Sequence, residues 1–238
     1  MAGRSARRGL CNLPLFSYLS FMVTSRLSLA VLLSFGAALP LAAHPHIFVD
    51  AGLRLFHDAK GAVTAVEVTW RYDELYSLLI ASDYDLDPDH DMILNPDETA
   101  AMLGFDLNWG GGFSGGLVLS QSGDPLALGA PEPVSFSMLP NGQIETTHRR
   151  AVQGATPSAP VVAQIFDPEF YIAFEMILDI AADDRAGCTV TLERADLDAA
   201  YVVLEAALQE IGGAVAAEDN FPPVGAHFAD RAVIACPD

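Results

Sequence analysis

The stretch Asp87-Pro88-Asp89-His90-Asp91-Met92-Ile93-Leu94-Asn95-Pro96-Asp97-Glu98 constrains this chain more than any other. Its spacing is that of an EF-hand calcium loop, which draws oxygen ligands from positions 1, 3, 5, 7, 9 and 12. Those positions hold Asp87, Asp89, Asp91, the Ile93 carbonyl, Asn95 (acting through a water) and Glu98. Four carboxylates converging without a cation repel one another, so a closed loop calls for a hard, oxygen-seeking ion. The rival is a solvated acidic turn. Position 6 departs from the pattern. Gly is usual there, this chain has Met92, and a side chain at positive φ costs about 1 kcal/mol or more. Before the loop, Tyr72 to Ser82 carries Leu75, Leu78 and Leu79 at helical spacing. After it, Asp97 to Phe105 reads as a short helix with its acids at the positive N-terminal end. Residues 71–108 thus read as an EF-hand-like helix-loop-helix inserted into something else.

That something else is mostly β. Ile47 to Phe56 and Ala62 to Trp70 read as a hairpin around the turn Asp58 to Gly61. Val134 to Leu139 and Gln143 to Val152 flank the turn signal Pro140-Asn141-Gly142. Leu117 to Ser120, Val161 to Phe166, Phe170 to Ile180, Thr189 to Glu193 and Phe228 to Ala235 supply further apolar runs. One C-terminal helix runs from Asp196 to about Ile211, stopped by Gly212-Gly213. Val202, Leu204, Leu208 and Ile211 give it an apolar side. Many short strands with few helices predict a mainly β, α+β domain of β-sandwich-like build.

The first 43 residues stand apart. Arg4, Arg7, Arg8 and Arg26 are basic, no acid precedes Asp50, and Leu27 to Leu39 is an apolar run of 13 residues closed by Leu41-Ala42-Ala43. This predicts a secretory signal over residues 1–43 and a single secreted domain over 44–238, in a periplasmic or extracellular setting. A spanning helix needs about 20 apolar residues, so membrane insertion after cleavage is not expected. Four of the twelve basic residues fall in the signal, which leaves eight against 31 acids, a net charge of −23 on residues 44–238. Such a surface repels nucleic acid and anionic lipid, and it attracts cations.

Cys11 leaves with the signal. Cys188 and Cys236 then remain, an even count in an oxidising compartment, which predicts a disulfide over a two-cysteine metal site. Cleavage after Ala43 makes His44-Pro45-His46-Ile47-Phe48-Val49-Asp50 the new start. Strand spacing puts His44, His46 and Asp50 on one face. Imidazoles suit nickel, copper or zinc, and the free amine adds a ligand. Pro45 has no N–H, so the amino-terminal chelate through a second-residue amide cannot form. His148 and His227 are candidates to complete the shell; the alternative is the exposed start of an edge strand. His57 and His90 read as exposed turn residues. Finally, Gly112-Phe113-Ser114-Gly115-Gly116 matches a hydrolase nucleophile elbow in letters alone, because that elbow lies between a strand and a helix.

The start Ala43 to Asp50, together with Trp70-Arg71-Tyr72-Asp73-Glu74, the acidic loop, Phe166-Asp167-Pro168-Glu169-Phe170-Tyr171, Gly187-Cys188 and Cys236-Pro237, resembles a bacterial secreted family of unknown function. Its members are labelled periplasmic components of an uncharacterised ABC-type transport system and are encoded near nickel/cobalt-type permeases. The family's loop has Gly where this chain has Met92. The resemblance implies a non-enzymatic, periplasmic role in metal handling, with an inner-membrane metal permease as partner. The other readings are a secreted interaction domain stapled by calcium without a transition metal, and a serine hydrolase built on Ser114.

Overall fold

The computed structural model describes residues 45–237, apart from 90, 92, 111–112, 158, 183–186 and 214–220. The expected first hairpin is present as β1 (Ile47–His57) and β2 (Val63–Tyr72), antiparallel, with Val49 opposite Tyr72 and Leu55 opposite Val66. Alternation fixes which side is buried: Ile47, Val49, Ala51, Leu53 and Leu55 point inward from β1, and Val68, Trp70 and Tyr72 from β2. Strands β3 (Leu117–Gln121), β4 (Asp124–Pro125), β5 (Ala127–Leu128), β6 (Glu132–Met138) and β7 (Ile144–Gln153) follow. β6 and β7 form the second expected hairpin.

The apolar run from Phe170 to Ile180 is not one strand. It is β9 (Ile172–Glu175), a break, then β10 (Ile180–Ala182), after β8 (Val161–Ile165). Both β9 and β10 run parallel to β1. The break has a local cause at Gly52. The Asp179 carbonyl, which accepts from the Leu53 N–H, crosses so close that a Cβ on residue 52 would lie 2.8 Å from it. β1 is therefore not an edge strand: β2 covers one side, and β9 and β10 the other.

The larger sheet has the order β10-β1-β2-β7-β5, with β9 on β1 and β6 on β7. The smaller has the order β11-β12-β8-β3-β4, using β11 (Thr189–Glu193) and β12 (Arg231–Ala235). Leu117, Leu119, Val161, Ala163, Ile165, Ala232 and Ile234 of the smaller sheet share one buried cluster with the inward row of β1 and β2. The protein is thus a β-rich α+β fold, two sheets on a common core. Cys188 and Cys236 are joined, at the end of the ladder that pairs Thr189 with Ala235.

Three α-helices occur among the described residues: α1 (Glu74–Asp83), α2 (Pro96–Met102) and α3 (Leu197–Glu210). None is long and apolar enough to cross a membrane. Two helix faces differ from expectation. In α1, Leu75 and Leu78 are 68% and 65% exposed, Leu79 is also exposed, and Ser77 and Ile80 are buried. Hydrogen bonding decided the rotation. Asp73 caps the helix, while Ser77 Oγ donates to the Tyr72 carbonyl and accepts from the Ile144 N–H. In α3, Val202 is 67% exposed. The packed face is Ala200, Val203, Leu204, Ala207, Leu208 and Ile211, set against Phe170, Phe221, Val224 and Phe228.

Candidate functional site

The acidic loop hangs between α1 and α2. Beyond α1, the Leu86 N–H donates to the Ala81 carbonyl, and Asp85 and Asp87 take left-handed backbone with φ of 51° and 53°. Few residues with a Cβ tolerate that region, and Asp is among them. The turn buries Asp87, whose Oδ1 accepts from the Asp91 N–H at 2.9 Å. Asp91 Oδ1 in turn accepts from the Ile93 N–H at 2.8 Å. Carboxylate oxygens of Asp87, Asp89 and Asp91 lie within 4.8 Å of one another. Three hard oxygens grouped in this way suit a hard divalent cation such as calcium.

The remaining sequence candidates in the loop are used otherwise. Asn95 Oδ1 accepts from the Asp97 and Glu98 N–H groups, and Glu98 Oε2 accepts from the Asn95 N–H at 2.8 Å. This reciprocal capping box starts α2 at Pro96. Glu98 therefore sits outside the trio of grouped carboxylates.

At the N-terminal end of the domain, His44 lies outside the described residues. His46 is exposed, its N–H donates to the Tyr171 carbonyl, and its ring lies 4.8 Å from that of Tyr171. Asp50 is on the same side of β1, as alternation requires, and is half-buried. Burial pushes its carboxyl upward, with the Arg71 charge offsetting part of that. The other histidines are scattered. His227 is exposed in the 3-10 turn Gly225–Phe228, and His90 is outside the described residues. His57 is no free turn residue: it ends β1 half-buried, with Nε2 3.8 Å from Cys236 Sγ.

His148 is not presented to the N-terminal histidines as a surface ligand. It is 1% exposed, with its ring 4.9 Å from that of Trp70 and 5.4 Å from that of Trp109. Neither ring nitrogen has a hydrogen-bond partner among the described residues. Burial, and secondarily the Arg150 charge, lowers its pKa to about 4. The ring is therefore neutral at physiological pH. β7 buries Ile144, Thr146, His148, Arg150 and Val152 in one row, so its inward face carries three polar side chains. Sequence reasoning passed over this row. The signal was the alternation itself, which puts Thr146, His148 and Arg150 in phase with Ile144 and Val152.

Arg150 is held by the Gly129 and Ser114 carbonyls. Thr146 and the Tyr72 hydroxyl both donate to Asp106 Oδ2, at 2.7 and 2.8 Å. Burial foremost, then the Asp106 charge, pushes the Tyr72 pKa well up and keeps it a donor. Strand β3, not a helix, follows Ser114, and Gly115 and Gly116 have positive φ. The geometry around Ser114 is that of a loop that holds Arg150 and seats Trp109. A Cβ on Gly115 would come within 2.3 Å of the Trp109 ring.

The fold and the loop define a β-rich α+β protein with an acidic, oxygen-lined turn between two short helices. Residues 29–236 match the family described as protein of unknown function (DUF1007), and the chain belongs to that family. No curated protein matches the chain. Two aspartates, Asp73 half-buried and Asp167 buried, hold backbone together. Asp73 accepts from the Phe48 and Tyr76 N–H groups. Asp167 accepts from those of Glu169, Tyr171 and Ile172.

Proposed function

We propose that this chain is a periplasmic, metal-binding accessory protein of a metal transport system. Calcium staples the Asp87–Glu98 loop, and a borderline metal, nickel, copper or zinc, is taken at His44, His46 and Asp50. An inner-membrane metal permease is its partner. The observation that carries the reading is the grouping of Asp87, Asp89 and Asp91 oxygens within 4.8 Å, in a chain with 31 acidic and 12 basic residues. The donor set selects a hard cation, and the acidic surface concentrates cations around it. Two sheets with one shared core support the sandwich-like architecture. The leader composition supports export.

A second reading is a calcium-stapled interaction domain with no transition metal. It is favoured by the packing of His46 on Tyr171 and by the Arg71 charge acting on Asp50, both of which compete with a metal. The test is calorimetric titration of protein beginning at His44 with calcium, nickel, copper and zinc. It is repeated on His46→Ala and Asp89→Asn. Calcium binding lost only in Asp89→Asn, with nickel or copper binding lost only in His46→Ala, supports the first reading. Calcium binding alone supports the second, and no binding of any metal overturns both.

A further inference from the structure

A cavity of about 520 Å³ opens between the start of β1, helix α1 and the segment after α2. Its volume falls in the range of small-molecule sites. Eight of its lining side chains are aromatic: Trp70, Tyr72, Tyr76, Tyr84, Phe105, Trp109, Phe113 and Phe174. The two charged groups that line it are both carboxylates, Asp83 and Asp106.

The two ends of this cavity differ. At one end, Tyr84 and Phe105 lie 5.8 Å apart and Tyr72 and Tyr76 5.4 Å apart, with Asp106 bonded to the Tyr72 hydroxyl. Aromatic faces beside carboxylates make a region of negative potential that favours an organic cation. Tyr76 is pushed toward its protonated form by burial first, then by Tyr171, Tyr84, Asp106 and Asp83.

At the other end lie Trp70 and Trp109, with ring centroids 6.1 Å apart. Both indole Nε1 atoms are buried with no hydrogen-bond partner among the described residues, and Trp70 is 3% exposed. These N–H groups have almost no accessible surface, so the indole rings line the cavity with carbon rather than with their donors. The Arg150 guanidinium stands 5.3 Å from the Trp109 ring, so a cation is disfavoured at this end.

We propose that the cavity binds a small methylated ammonium compound. The ammonium head lies among Tyr76, Tyr84, Phe105, Asp83 and Asp106. The site does not depend on the metal reading, since none of its lining residues is among the metal ligands that reading names.

The experiment is calorimetry, with tryptophan fluorescence in parallel, on the protein in chelator. The probes are choline, glycine betaine, tetramethylammonium and 3,3-dimethyl-1-butanol, the uncharged carbon isostere of choline. Choline or betaine is expected to saturate, with the butanol about tenfold weaker, the worth of a partly desolvated cation–π contact. Tetramethylammonium, which carries the charged head alone, should also saturate. Tyr84→Ala and Asp83→Asn, both at exposed positions, should each weaken choline several-fold while leaving the circular dichroism spectrum and melting temperature unchanged. Equal affinity for choline and its isostere overturns the proposal, as does the absence of saturation with all four. Metal binding that survives in Tyr84→Ala keeps this result separate from the fate of the calcium reading.

Discussion

The Phe48 N–H donates to Asp73 Oδ2 at 2.9 Å, across 25 residues of sequence. The other oxygen of the same carboxylate accepts from the Tyr76 N–H, and so caps α1. One side chain thus ties the start of the first strand to the start of the helix that leads into the acidic loop. Asp73→Ala should cost about 2 kcal/mol, from a lost cap and an unpaired strand donor. Urea unfolding checks this. Asp73→Asn, which keeps an acceptor, should cost less.

Calcium should raise the melting temperature. A ligand bound only by the folded state adds about 2.7 kcal/mol at a hundredfold excess over Kd. Glu98→Gln is the informative variant. Glutamine still serves the capping box at Asn95, so α2 keeps its start, while a carboxylate is removed. It should reduce calcium stabilisation and leave the unfolding free energy in chelator within about 0.5 kcal/mol of the parent. Equal melting of the parent with calcium and with chelator speaks against the staple.

Reduction of Cys188–Cys236 should destabilise the domain. The cross-link spans a sequence separation of 48, worth about 4 kcal/mol in the chain-entropy account. Thermal melts with and without reductant measure it, and Cys188→Ser/Cys236→Ser should match the reduced parent.

His148 predicts a pH dependence with a definite sign. Its folded pKa of about 4 lies below the ordinary 6.5, so the unfolded state binds the extra proton. Its contribution is fully present above pH 6.5 and is lost as pH falls toward 4, to a total of roughly 3 kcal/mol. Chemical denaturation across that window should show the slope. His148→Leu, which removes the group that titrates, should flatten it.

Much of the β framework was legible because alternation and turn chemistry are local. The hairpin around residues 58–61 and that around Pro140-Asn141-Gly142 needed nothing distant to form. What failed were the features decided by partners far along the chain. The exposed Leu75 and Leu78 look like a core stripe until Ser77 is seen to hold the Ile144 backbone. The break between β9 and β10 follows from the crossing at Gly52, which no property of residues 176–179 announces. In the candidate site, the spacing of Asp87, Asp89 and Asp91 translated directly into proximity, since loop residues two apart reach one centre. The aromatic cavity was hidden. Its walls come from residues 47 to 174, and each aromatic, taken alone, reads as ordinary core.

The interior position of β1 sets the order of events when the chain is made. Its partner β2 follows at once, but the parallel partners on its other flank are not complete until residue 182. During that interval the oldest strand has an open row of amide and carbonyl groups, available to any passing strand, its own copies included. Closure of the larger sheet is then a late, long-range step, so refolding should be slow for a domain of this size, and crowding should penalise it through aggregation.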